Sequence, residues 1–394
     1  MEGERQHDIV LFGATGFTGG LTADYLAANG PEGLRWALAG RNQAKLEALA
    51  ARLAASNSSA PAPELIVADA GDRAALDAVA RSTRVVITTV GPYILYGEPL
   101  VAACAAAGTD YVDLTGEPEF LDRMWTLHHA EAERSGARIV HCCGFDSIPH
   151  DLGAYFTVLQ LPEGVPLRVE GFVRSNGTFS GGTYHTAVNG FARARQTMAA
   201  AKERKQADQR PQGRRIHSMP ARIRRQPQLG AWAVPLPTID GPIVRHSAAA
   251  LDRYGPDFSY GHNALVKHLA TVAVAGAGIG TVFALSQLPP TRNLLLKAKS
   301  PGEGPSESTR ERSRFNVTFL GEGGGKRVRT EVTGGDPGYG ETSKMLSESA
   351  LCLAFDELPE RSGQLTTASA MGDALLARLQ SAGISFRVVE PEQS

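Results

Sequence analysis

The strongest constraint in this chain is a glycine turn set between a strand and a helix. Asp8 to Phe12 is a short apolar run with β-branched residues. Gly13-Ala14-Thr15-Gly16-Phe17-Thr18-Gly19 follows it, and helical spacing then runs from Phe17 to Ala28, with Leu21, Tyr25 and Leu26 on one side. Glycines let the backbone turn sharply and approach a ligand without Cβ clashes. A helix starting there offers unpaired N–H groups and the positive end of its dipole. The strand itself is apolar on both faces, which a parallel sheet between two helical layers accommodates.

The alternation continues for about 140 residues. Strands are expected at Leu34 to Ala39, Leu65 to Ala68, Val85 to Val90, Asp110 to Leu114 and Ala137 to Cys142, with helices at 44–55, 73–82, 100–107 and 119–135. The expected fold class is therefore α/β, an N-terminal Rossmann-type parallel sheet with a second α+β domain. The expected division is a Rossmann domain at 1–148, a substrate or dimerisation domain at 149–340, and C-terminal helices and a strand at 341–394 packing back on the first domain. Past residue 148 the alternation stops, and a hinge is expected at Phe145 to Asp151. Leu167 to Ser175 reads as a longer strand and Gly182 to Lys205 as one helix. Residues 202–228 read as a basic, proline-containing loop or mobile excursion. Phe315 to Leu320 and Arg327 to Thr333 read as a hairpin. Alternation puts Phe315, Val317 and Phe319 on one face, expected to meet the interdomain cleft or a partner subunit.

The glycine turn in its strand–turn–helix setting is read as a dinucleotide site built from Gly13, Thr15, Gly16, Phe17, Thr18 and Gly19. NADP is favoured over NAD because the second strand ends in Ala39-Gly40-Arg41-Asn42, without the acid that would hold ribose hydroxyls. Arg41 meets a 2′-phosphate with a charge-assisted contact, and Lys45 lies one helical turn further. Asp69, Thr89, Gly91 and Pro92 end the third and fourth strands, at the same crevice. Asp69 reads equally well as a local helix cap.

Several segments resemble the saccharopine dehydrogenase-like oxidoreductases. These are 12–19, 38–41, 88–93, Asp113-Leu114-Thr115-Gly116-Glu117, Cys143-Gly144-Phe145-Asp146-Ser147-Ile148-Pro149, Gly334-Gly335-Asp336-Pro337-Gly338-Tyr339, 365–366 and 370–376. Within that family they are most similar to the trans-acting enoyl reductases of phthiocerol-type lipid synthesis, and the resemblance spans nearly the whole chain. It implies an NADP-linked reductase acting in trans on a polyketide-type enoyl thioester. Residues 200–230 match least.

Enoyl reduction needs a hydride at the β-carbon, a proton at the α-carbon and a donor for the enolate oxygen. Tyr93, Ser147, His150 and Tyr184 are candidates, with Asp146 in reach to orient one of them. No tyrosine is followed four residues later by lysine, which disfavours short-chain dehydrogenase chemistry. Two other readings stay open. A saccharopine-type imine reductase would bind carboxylates, for which Arg168 and Arg174 are available. A scaffold without turnover would bind cofactor alone.

Composition narrows the partners. A formal net charge of −1 argues against nucleic acid. Four cysteines, none with metal-site spacing, read as reduced thiols, and no metal site is expected. Met1 to Asp8 lacks an apolar signal core, so a cytoplasmic protein is expected. Leu269 to Leu288 is near spanning length but poor in Leu, Ile and Phe. It reads as a buried helix or the wall of an apolar tunnel in preference to a membrane-surface contact. Its GxGxG lacks a preceding strand and is a decoy. The nine Lys and Arg residues in 202–228 face only two acids and suit an acidic acyl carrier protein. A homodimer stays open.

Overall fold

The computed structural model describes residues 5–57, 61–177, 181–208, 211–297 and 306–389. The first half runs β1 (His7–Phe12), α1 (Phe17–Asn29), β2 (Trp36–Gly40), α2 (Gln43–Ser56), β3 (Glu64–Val67), α3 (Arg73–Ser82), β4 (Thr83–Thr88), α4 (Tyr93–Tyr96), α5 (Glu98–Ala107), β5 (Asp110–Asp113), α6 (Pro118–Ser135) and β6 (Arg138–Val140). All six residues of β1 and all five of β2 are buried, as central parallel strands require. Helix starts follow local chemistry. Asn42 accepts from Lys45 N to open α2, and Asp72 accepts from Ala74 N and Ala75 N to open α3.

The second half runs α7 (Ile148–Leu159), β7 (Leu167–Ser175), α8 (Gly181–Ala192), α9 (Ala194–Ala207), β8 (Arg215–Ser218), β9 (Arg224–Gln226), β10 (Ala231–Pro235), α10 (Asp240–Ala250) and β11 (Asp257–Val266). It continues through α11 (Leu269–Ser286), α12 (Pro289–Lys297), α13 (Glu307–Arg312), β12 (Phe315–Gly323), β13 (Lys326–Gly334), α14 (Gly340–Phe355), β14 (Gly363–Leu365), α15 (Thr367–Ala370), α16 (Gly372–Ser381) and β15 (Ser385–Val389).

Two sheets result. The first is fully parallel in the order β14-β6-β5-β4-β1-β2-β3; the second has eight strands, β15-β13-β12-β7-β11-β10-β9, with β8 paired to β11. The fold is α/β with a Rossmann-type sheet and a second mixed sheet. The C-terminal segment touches both: α14 packs on α1, β4 and β5, β14 extends the first sheet, and β15 extends the second.

Four details differ from the sequence expectations. Helix α7 begins inside the segment expected as a hinge, because Pro149 is tolerated in a first helical turn. The helix expected over 182–205 is two, broken at Arg193, whose backbone leaves helical geometry. The segment 202–228 is largely built into the fold. Here α9 runs to Ala207, β8 and β9 follow, Arg204 pairs with Asp122, Arg215 with Asp257 and Arg224 with Glu170, and Arg214 donates to the carbonyls of Ala248 and Leu251. Arg210 lies outside the described residues. Finally, Phe315, Val317 and Phe319 share a buried face that packs largely into the core against α7, while Phe315 at its end meets the Phe145 ring at 4.9 Å and lines a cavity with Arg310, Gly335 and Asp336. A Cβ on Gly153 of α7 would lie 2.4 Å from Phe319, so only glycine lets helix and hairpin come this close.

Candidate functional site

At the carboxyl end of β1, Gly13 N and Ala14 N donate to Ala39 O, and Gly13 takes φ +87°, which favours glycine. A Cβ on Gly19 would stand 2.3 Å from Gly13 O and 2.9 Å from Ala14 Cα, so α1 can start this close to the turn only with glycine there. No side chain caps the first turn of α1, which holds no acid either. Thr15 and Gly16 are exposed, and Phe17 and Thr18 are half-buried. An uncapped helix start beside the solvent-facing Gly16 is suited to an anionic group.

The neighbouring strand ends line the same edge. Thr89 Oγ1 donates to Gly13 O at 3.1 Å, which ties the end of β4 to the glycine turn. Arg41 is exposed at the end of β2, beside the N-cap Asn42. Asp69 is exposed too, and accepts from Gly71 N at 2.8 Å, so it shapes its own turn while Asp72 does the capping. Glu117 holds the stretch after Gly91 and Pro92 by accepting from Tyr93 N and Ile94 N at 2.9 and 2.8 Å.

Tyr93 is buried, and its hydroxyl donates to Thr88 O at 3.1 Å. Burial raises it well above the usual tyrosine range, with Asp113 adding to the effect. Its hydroxyl anchors the loop and is not presented to the crevice, against the expectation of a proton donor. The hydroxyl of Tyr184, on α8, donates to Leu295 O of α12 at 3.2 Å.

Asp146 is the candidate best placed at the interdomain edge. Solvent reaches it, yet protein surrounds it, as at the floor of a cleft. That crowding, with Asp240 nearby, pushes its carboxyl up to about 7. Open to solvent as it is, Asp146 carries only a discounted form of this penalty. A Cβ on Gly116 would lie 3.2 Å from Asp146 Oδ2, which places the carboxyl directly against the turn after β5. Ser147 is buried, and its hydroxyl has no partner among the described residues. His150 follows one turn later. Burial lowers it to about 3, and His262, on β11, to about 4, so both imidazoles are neutral near pH 7.

Beneath this floor lies a buried network that needs no ligand. Asp113 accepts from Tyr111 OH at 3.0 Å, from Thr115 N at 3.1 Å and from Cys142 N at 3.0 Å, and pairs with His141 Nδ1 at 2.6 Å. It fixes the ends of β5 and β6.

Two groups from distant parts of the chain also reach the glycine turn. The Tyr339 ring meets Phe17 edge-on at 4.8 Å, and the Arg310 guanidinium lies 5.9 Å from the Phe17 ring centroid. Only folding brings residues about 300 positions apart to one loop. A cavity of about 520 Å³ lined in part by Trp125, His129, Arg204 and His246 lies against α6 and α10, among residues none of which belongs to the crevice.

A family model for the saccharopine dehydrogenase NADP-binding domain matches residues 9–140. A Mycobacterium tuberculosis protein, provisionally named a trans-acting enoyl reductase, is 42% identical over 413 residues, covering 97% of each chain. The trans-acting enoyl reductase of Mycobacterium bovis is 38% identical over 417 residues, again covering 97% of each. That of Mycobacterium ulcerans is 38% identical over 420 residues, with the same coverage. Among solved structures, the apo saccharopine dehydrogenase (L-Glu forming) of Saccharomyces cerevisiae superposes with a TM-score of 0.56 at 13% identity, over 98% of this chain and 100% of that one, a likeness of fold alone.

Proposed function

The chain belongs to the family of trans-acting enoyl reductases, and from that membership we propose that it reduces the double bond of an enoyl thioester in lipid or polyketide synthesis. It is an NADP-dependent oxidoreductase acting on a CH–CH bond, and residues 9–140 are its NADP-binding domain. The observation that carries this reading is identity of 38–42% sustained over 97% of the chain, glycine turn and second sheet together.

NADPH, when bound, supplies the hydride for the β-carbon. Gly13, Thr15, Gly16, Phe17, Thr18 and Gly19 would hold its pyrophosphate at the start of α1, with Arg310 adding a cation beside them. Arg41 would meet the 2′-phosphate, and Asp69 would lie toward the adenine. Thr89, Gly91 and Pro92 would line the nicotinamide side. Asp146 delivers the proton to the α-carbon, because crowding and the nearby Asp240 raise its carboxyl and favour the protonated form. Ser147, with a free hydroxyl, is the next donor. Tyr184 shapes the acyl side of the cleft rather than the chemistry, since its hydroxyl is engaged by Leu295 O.

The substrate reaches the cleft on an acyl carrier protein. With four of the arginines in 202–228 built into the fold, docking falls to Lys202, Lys205, Arg222 and Arg225, which are exposed. The protein works in the cytoplasm, next to a lipid surface. Helix α11, expected to be buried or to wall an apolar tunnel, is exposed along nearly all its length, with Val274 75% and Ile279 58% accessible, and has the length and hydropathy of a membrane-crossing segment. No Asp or Glu occurs from Phe258 to Gly302, while Lys267, Arg292 and Lys297 flank the apolar stretch. Those like charges oppose pairing of α11 with a second copy and favour an anionic bilayer.

Mixing purified protein with NADPH and acceptors tests the chemistry. Oxidation only with an enoyl thioester supports the reductase. Oxidation with a keto acid plus amine points instead to the imine-reducing chemistry that Arg168 and Arg174 would serve, and no oxidation with any acceptor to a scaffold. With Asp146 as acid, kcat/KM falls as pH rises through the Asp146 titration, which crowding and Asp240 place above the ordinary carboxylate range. Asp146→Asn removes that fall and lowers the rate about 100-fold or more. An unchanged pH profile in the variant excludes Asp146 as the donor.

A further inference from the structure

Three buried side chains from separate elements of the second half face one another behind Asp146. His150 comes from the first turn of α7, Asp240 from the first turn of α10 and His262 from the middle of β11. His150 Nε2 lies 3.4 Å from Asp240 Oδ1, and His262 Nε2 lies 3.4 Å from Asp240 Oδ2; the three side chains are 3–6% exposed. One donor atom from each can be chosen so that all lie within 4.8 Å of one another. The polar capacity of the cluster is largely unspent. Among the described residues, Asp240 Oδ1 and the Nδ1 atoms of both histidines have no hydrogen-bond partner. The Thr238 hydroxyl donates to Asp240 Oδ2.

We propose that His150, Asp240 and His262 form a binding site for a single divalent cation of the zinc class. The chain supplies its own control for what a histidine–carboxylate hydrogen bond looks like here: His141 Nδ1 stands 2.6 Å from Asp113 Oδ2, and both Asp113 oxygens are partnered. The Asp240 contacts are longer, and its Oδ1 is orphaned. Bonds of roughly 2.0–2.2 Å to a tetrahedral zinc put neighbouring ligand atoms about 3.3–3.6 Å apart. Each histidine lies 3.4 Å from one Asp240 oxygen, within that range, but the two contacts use different oxygens and a set of one atom per residue spans up to 4.8 Å, so the ligands close in on the ion when it binds. Two imidazoles and one carboxylate suit zinc, whereas calcium and magnesium select oxygen donors. Thr238 serves as the outer partner that orients the carboxylate. An ion there ties α7, α10 and β11 together beneath the cleft floor and leaves a coordination position for water. The site stands on this geometry alone and does not depend on the reductase reading. Sequence spacing conceals it, since its ligands come from positions 150, 240 and 262.

The test uses the full-length protein, stripped with a chelator and dialysed against zinc chloride. Metal analysis by mass spectrometry should find one zinc per chain, and cobalt chloride should give the visible absorption of a tetrahedral nitrogen–oxygen site. Zinc should also raise the melting temperature. His150→Gln and His262→Gln should abolish all three signals. Thr238→Val, which leaves the ligands in place, should weaken zinc binding roughly 10–100-fold. Wild-type protein that retains no more zinc than the double variant His150→Gln/His262→Gln overturns the proposal. So does zinc that leaves the wild-type melting temperature unmoved. If the variants misfold, titration of wild-type protein against a chromophoric chelator decides: a stoichiometry of one supports the site, and none sinks it.

Discussion

Two glycine-rich stretches, Gly13 to Gly19 and Gly276 to Gly280, look alike in composition and mean opposite things. In the first, glycine is required by its surroundings. Gly13 takes a positive φ, and a side chain on Gly19 would collide with the backbone of the turn. In the second, a Cβ on Gly276, Gly278 or Gly280 would meet nothing within 4 Å. The first stretch follows a buried strand and opens a packed helix; the second lies inside α11, whose sides face outward. Neighbouring atoms, which a pattern of glycines does not encode, separate a ligand cradle from a stretch of open helix surface.

The sharpest way to break this contrast is to place one charge in each kind of surroundings. Val317 is 0% exposed in the core under α7, and Val274 is 75% exposed on α11. Val317→Asp should cost more than about 4 kcal/mol in urea unfolding, because a carboxylate there has no water and no partner. Val274→Asp should leave the unfolding midpoint in place and reduce pelleting with anionic liposomes. Equal shifts in the two midpoints would mean that α11 is packed in solution.

The next effect is at the glycine turn. Gly19→Ala should destabilise the fold by about 1–3 kcal/mol, since backbone atoms cannot yield as a flexible side chain would. NADPH binding, followed by fluorescence titration, should weaken in parallel. Retained affinity at an unchanged melting temperature would show that the turn relaxes.

A smaller change is expected from Arg41→Ala. It should weaken NADPH about tenfold, as loss of one solvent-exposed charge-assisted contact does, and leave NADH nearly unaffected. Equal loss for both cofactors would assign Arg41 to the fold. The smallest effect closes the comparison: Gly278→Ala should stabilise α11 by up to about 1 kcal/mol, the helix-propensity difference, with no steric penalty. Destabilisation would reveal a close neighbour for that face.

The parts legible in sequence are those whose signals are local. The strand–turn–helix start, the alternation to β6 and the hairpin at 315–334 follow from periods of 2 and 3.6 within a few residues of each other. Helix α7 was hidden by Pro149, which reads as a breaker unless a first helical turn is recognised. The basic run at 202–228 reads as a loop because its counter-charges, Asp122, Glu170 and Asp257, lie far away in sequence. Tyr93 reads as a catalytic group because it adjoins a crevice-lining turn. Its hydroxyl is directed instead to a backbone carbonyl five residues earlier in its own chain.

By itself, the sequence determined the parallel α/β half, the cofactor turn and its preference for NADP, because glycine geometry, strand burial and the residue after β2 act over short range. Tertiary structure alone decided three other matters. It brought Arg310 and Tyr339 onto the glycine turn, left α11 bare, and placed His150, Asp240 and His262 face to face. Each depends on which distant elements pack together, and burial and proximity belong to that packing rather than to any stretch of chain.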